Sequence, residues 1–186
     1  MQWEIKCKQL FISTHNFEFF NLLKDLPKKD GFKTRRNDKE SRYFISRNIS
    51  DSHIEKLPEI YNSYSSEYHY LFSEIASFNG SENQSSYPKL LLMPNILRRF
   101  IEMYTLTQYP SSDELDGRAD VVFGKTLSKR ICKPFHYFSH FNNIDRIGKQ
   151  SELVADISSA CKALIKFLED KEDKKHYEAL KKAISI

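Results

Sequence analysis

Glycine is scarce and scattered in this chain. Five of the 186 residues are glycine, at Gly31, Gly80, Gly117, Gly124 and Gly148, where average usage of about 7% gives roughly 13. A phosphate-cradling loop needs clustered glycines, because only they let successive backbone N–H groups close around an anion. None of the five lies within three residues of another. The chain therefore has no Walker-type loop and no dinucleotide fingerprint, and an autonomous nucleotide-dependent enzyme is not expected.

The length suits one medium domain or two small ones. With 40% hydrophobic and 13% aromatic residues, the chain can build a core rather than stay disordered. Its longest apolar stretches, such as Leu90 to Pro94, fall far short of the roughly 20 residues a membrane span needs. No basic-then-apolar leader opens the chain. Cys7, Cys132 and Cys161 are odd in number and widely spaced, without a CxxC pair. Reduced thiols in a cytoplasmic protein, away from membranes, are the expectation.

The net charge of +4 is unevenly placed. Between Lys24 and Arg47 nine basic residues face four acidic ones, a net of +5, which leaves −1 for the rest. Such a concentration is the footprint of a polyanion binder, or simply a solvated loop.

Hydrophobic spacing predicts a mainly α fold with α+β character at the N-terminus. Lys8 to Thr14 reads as a short strand running into His15-Asn16. Phe17, Phe20, Leu22 and Leu23 then recur at helical spacing up to Pro27, where a helix should stop. Arg42 to Ser46 reads as a second strand. From Ser52 onward the pattern is helical: Ile54 to Ser63 with a break near Pro58, Ser66 to Phe78, and Leu90 to Tyr104 with Pro94 in its first turn. Ser111 and Glu114 have capping-box spacing. A helix containing Thr126 to Phe141 should be kinked or restarted by Pro134. Leu153, Val154, Ile157, Ala160, Cys161, Leu164, Ile165 and Leu168 follow the i, i+3, i+4, i+7 rule, and His176 to Ile184 forms a last amphipathic helix.

Three places could carry chemistry. His15, at a strand end, is placed either to meet a ligand phosphate or to cap the following helix. Arg98 and Glu102, four apart, share a helix face; among Leu97, Phe100 and Ile101 their surroundings read as buried, which sets a functional pair against a plain i,i+4 ion pair. His136 and His140 are also four apart. Neither an acidic residue nor a cysteine stands between them, so no metal is expected; His140 beside Ser139 reads as a general acid or base.

The Thr14-His15-Asn16 turn resembles the switch-histidine loop of ABC-class ATPases, whose histidine senses the terminal phosphate of ATP. Together with Glu67 to Phe72, Pro94 to Glu102 and Phe138-Ser139-His140, it is similar to the C-terminal part of the bacterial anticodon-nuclease family of the PrrC/RloC type. The resemblance is loose over Gly31 to Asp51 and Tyr109 to Lys129. Lys133 stands where many relatives have arginine, and Pro134 is unusual inside its helix.

That resemblance implies an ATPase segment over residues 1–50 and a helical, HEPN-like nuclease bundle over 51–186. It implies a catalytic set of Arg98, Glu102 and His140. His15 would touch ATP only together with a partner ATPase, no cofactor being bound autonomously. It further implies RNA, tRNA in particular, as a partner, an ABC-class ATPase polypeptide as another, and a homodimer across a two-fold axis. The expected activity is metal-independent RNA cleavage in an antiphage or toxin system, set against a silent module or truncated remnant docking on an ATPase.

Overall fold

The computed structural model describes residues 11–29, 42–47, 51–137, 150–170 and 173–184. Contacts divide the chain into two units, Met1–Glu67 and Tyr68–Ile186.

In the first unit, Asn16 starts helix α1 (Phe17–Lys29). Its Oδ1 accepts the Phe19 N–H at 2.8 Å, and Thr14 Oγ1 accepts the Asn16 N–H at 3.0 Å. Asn16, not His15, is thus the cap. The helix runs to Lys29, past the stop expected at Pro27. With two residues after it, the proline forfeits one bond in the final turn only. Residues 11–14, expected to end a strand, carry no regular structure. A strand needs a neighbour for its N–H and C=O groups, and the described strands pair with each other.

Those strands are β1 (Tyr43–Arg47) and β2 (Ser52–Lys56), antiparallel from Tyr43↔Lys56 to Arg47↔Ser52. β1 was legible; β2 replaces the start of the helix expected over Ile54 to Ser63. Only a short helix, α2 (Ile60–Ser63), follows Pro58. The hairpin that straddles residue 50 belongs whole to the first unit. Tyr61 gathers this unit's aromatic contacts, with Phe17, Phe20 and Phe44 ring centroids 5.3, 5.8 and 5.9 Å away.

The second unit is helical: α3 (Glu67–Gly80), α4 (Met93–Gln108), α5 (Leu115–Phe123), α6 (Lys125–Cys132), α7 (Gln150–Glu169) and α8 (Lys174–Ile184). α4 follows a 3-10 turn at Leu90–Leu92 and carries Pro94 in its first turn, where the missing N–H is harmless. The capping box does not form. Ser111 Oγ instead donates to Asp113 Oδ2 at 2.9 Å, and α5 begins after Glu114 without a side-chain cap. Gly124, at φ 77°, separates α5 from α6, and Lys133–Tyr137 is a 3-10 turn beginning at the residue before Pro134. The helix expected over Thr126 to Phe141, kinked or restarted at Pro134, thus ends at Cys132 and passes into this 3-10 turn; residues 138–141 lie outside the described residues.

The core of this unit joins α3, α4, α7 and their neighbours through Phe72, Ile75, Leu97, Phe100, Ile157 and Leu164, all at most 1% exposed. Each such side chain contributes roughly 1.5–3 kcal/mol on burial. Aromatic rings form a column through it. Tyr68 stacks on Phe100 at 4.6 Å, Phe100 on Tyr104 at 6.2 Å and Tyr104 on Phe123 at 5.7 Å, while Phe167 meets Phe123 edge-on at 4.9 Å. The fold is mainly helical, with one small two-stranded sheet on the N-terminal side among the described residues.

Candidate functional site

On α4, burial of Met93, Ile96, Leu97, Phe100, Ile101 and Tyr104 turns one helix face inward. The 3.6-residue period then leaves Asn95, Arg98 and Arg99 on the outside. Arg98 Nε donates to Glu102 Oε1 at 2.9 Å, with the two side chains 53% and 37% exposed. The pair is therefore at the surface, not in the buried surroundings its apolar neighbours suggest. In the sequence, periodicity and hydrophobic density point in opposite directions here, and periodicity wins. An exposed pair of this kind contributes about 0.2–0.5 kcal/mol.

The guanidinium uses only Nε on Glu102, and its two terminal amino groups carry no protein partner among the described residues. Held by the carboxylate, it presents a planar pair of donors toward solvent, the geometry that suits a phosphate. His140, the third residue of the expected set, lies outside the described residues, as does the imidazole of His136. His15 is exposed at the bend before α1, two residues from the first helical position.

Close by in sequence to His140, two contacts pin the end of α6 and the 3-10 turn to α7. Arg130 Nε donates to Ser159 Oγ at 2.7 Å, and Lys133 Nζ contacts Asp156 Oδ1 at 2.8 Å. They add charge-assisted hydrogen bonds to the apolar packing of Ile131, Cys132 and Phe135 in the core.

Sequence reasoning missed a polar cluster at the edge of the aromatic column. Tyr68 Oη and His176 Nε2 lie 2.9 Å apart, and Tyr104 Oη donates to Asp173. Burial first pushes both phenols above their ordinary range; the Asp173 charge follows at Tyr68, and the hydrogen bond to Asp173 and then its charge follow at Tyr104. Both stay protonated at neutral pH; Tyr104 donates to Asp173, and the Tyr68–His176 contact ties α8 to the bundle. The one sequence signal was a histidine opening an amphipathic helix, which is weak.

Cys132 and Cys161 are buried, and burial pushes each thiol up to about 12, with Asp116 and Asp120 adding to the effect at Cys132. Neither is a nucleophile at neutral pH. No group of three or more histidine, cysteine or acidic side chains suited to a metal occurs among the described residues. No helix among them is long and apolar enough to cross a membrane.

A family model described as an AAA domain matches residues 2–166. The chain belongs to the AAA domain family. No curated protein and no solved structure matches it. The AAA match runs through most of α7, so it takes in the helical bundle as well as the first unit. An AAA domain points to nucleotide binding, and the described residues form no glycine cradle for a triphosphate. Among the described residues Gly124 is the one glycine at positive φ, and it sits in open space between α5 and α6, where it builds no cradle of N–H groups.

Proposed function

We propose that this AAA-family chain is a metal-independent endoribonuclease module that works with an ABC-class ATPase. The observation that carries the reading is the Arg98–Glu102 pair, held at 2.9 Å on the solvent face of an otherwise buried helix. A phosphate can reach it, and the aromatic core behind keeps its backbone fixed.

In this reading the ribose 2′-OH of RNA attacks the adjacent phosphorus and the 5′-oxygen of the next nucleotide leaves. His140 takes the proton from the hydroxyl or returns one to the leaving oxygen. Arg98 faces the charge that develops on the phosphate, and Glu102 holds Arg98 in place. The basic run from Lys24 to Arg47 supplies backbone contacts to RNA, tRNA being the favoured class. His15 completes the nucleotide pocket of the ATPase partner, which is where ATP enters. A homodimer, an antiphage or toxin role and a cytoplasmic setting belong to the same reading.

The test is cleavage of tRNA by the purified chain, alone and with an ATPase partner, in the presence of chelator. Cleavage should disappear in His140→Ala and fall at least a hundredfold in Arg98→Ala. No cleavage in any combination, or full activity in His140→Ala, sinks the assignment.

A silent docking module is favoured by one specific observation. Phe11 and Ile12 are 82% and 52% exposed, and a segment of this composition, without regular structure of its own, can add to the edge of another protein's sheet. Under this reading an ATPase co-purifies with the chain, Phe11→Asp releases it, and no RNA is cut.

A further inference from the structure

The first unit holds a cavity of about 330 Å³, lined by Asn21 and Lys24 of α1, Arg42 just before β1, and the run Asn62 to Ser65 at and after the end of α2. That volume lies within the small-molecule range. Among the described residues its lining has two cationic side chains, serine hydroxyls and carboxamides, and no acidic residue. A cavity of that composition attracts an anion.

Asn21 sharpens this. The residue is only 9% exposed, yet neither Nδ2 nor Oδ1 has a hydrogen-bond partner among the described residues. Leaving a buried polar group unpaired is costly, whereas an apolar residue of the same shape there would cost nothing comparable. The carboxamide offers a donor and an acceptor side by side, so its natural complement carries both an anionic oxygen and a hydroxyl.

Lys24 is set in advance. Its Nζ donates to the Tyr61 carbonyl at 2.6 Å and lies 5.4 Å from the centre of the Phe20 ring. The ammonium therefore meets a ligand with little further loss of side-chain freedom.

We propose that this cavity binds a phosphate monoester of a small molecule, with Arg42 and Lys24 facing the phosphate and the Asn21 carboxamide bridging one of its oxygens and a hydroxyl. A monoester fits better than a diester. Its second ionisation, near pH 6, gives it up to two negative charges toward a cationic lining. The inference stands apart from the nuclease reading, since it needs neither His140 nor RNA.

The test uses the full chain with inorganic phosphate and adenosine 5′-monophosphate as probes, followed by calorimetry and amide chemical shifts. Adenosine and chloride at matched ionic strength are the controls. Both phosphates should bind saturably, with shifts centred on Asn21 and Ser63, and binding should weaken at least tenfold in Arg42→Gln and in Asn21→Leu. Tighter binding of the nucleotide than of free phosphate identifies an organic monoester as the ligand; equal binding identifies phosphate itself, and the organic part of the proposal falls. Shifts that never saturate, adenosine binding as well as its phosphate, or undiminished binding in Arg42→Gln would overturn it and leave a hydrated structural cavity. Should Asn21→Leu fail to fold, Arg42→Gln decides alone.

Discussion

At Gly124 the backbone adopts φ 77° and ψ 148°, a region that residues with a Cβ scarcely enter. An added Cβ would meet nothing within 4 Å, so the cost of substitution is one of backbone conformation alone. Gly124→Ala should destabilise the chain by about 1–3 kcal/mol, read as a lower urea midpoint with an unchanged slope. Tyr104 gives a second residue-scale prediction. Its phenol is raised above the ordinary value of about 10, meaning that the folded state holds the proton more tightly than the unfolded one. The stability this contributes is fully present below about pH 10 and is lost as pH rises beyond it. Wild-type stability should therefore fall more steeply above pH 10 than that of Tyr104→Phe, while at pH 7 the variant is weaker by about 1.5–3 kcal/mol for the lost bond to a carboxylate. Denaturant melts at pH 7 and at pH 10.5 separate the two effects.

At the scale of elements, α4 has one face in the core and one in solvent, and the two should answer differently to mutation. Leu97→Ala, at a position with no exposure, should cost about 2–5 kcal/mol. Arg98→Gln, one residue on, should change stability by no more than about 0.5 kcal/mol while lowering any RNA cleavage. Equal losses of stability from the two would contradict the division of faces. The helices with sustained period, α4, α7 and α8, were legible because burial of one stripe writes itself into the sequence. β2 was not, for the converse reason. Ser52-His53-Ile54-Glu55-Lys56 is exposed along its whole length, so it has no inward face and no alternation to read; its partner β1 makes it a strand. The capping-box spacing at Ser111 and Glu114 misled because Asp113 lies closer to the serine hydroxyl and takes it. Of the candidate site, Arg98 and Glu102 were legible as a pair from their spacing, though not their exposure. The orphaned carboxamide of Asn21 has no sequence signature at all, since its isolation depends on packing from distant segments.

Over the whole molecule, the described residues show unequal cores. The helical unit buries most of the large apolar side chains, whereas Leu57 is the one buried apolar residue described in the first unit. A fragment spanning Tyr68–Ile186 should therefore unfold cooperatively by itself, and limited proteolysis of the intact chain should leave it as the resistant product. Failure of that fragment to fold would show that its core is completed by the first unit. The ring column also bears on how such a protein can change over generations. Because Tyr68, Phe100, Tyr104 and Phe123 hold α4 from the side opposite Arg98 and Glu102, substitutions at the outward positions carry almost no folding penalty. A lineage could lose the chemistry of that face, or acquire a new one, without crossing a stability threshold. Active and silent members would then share the same melting behaviour and differ only in what their α4 surface presents.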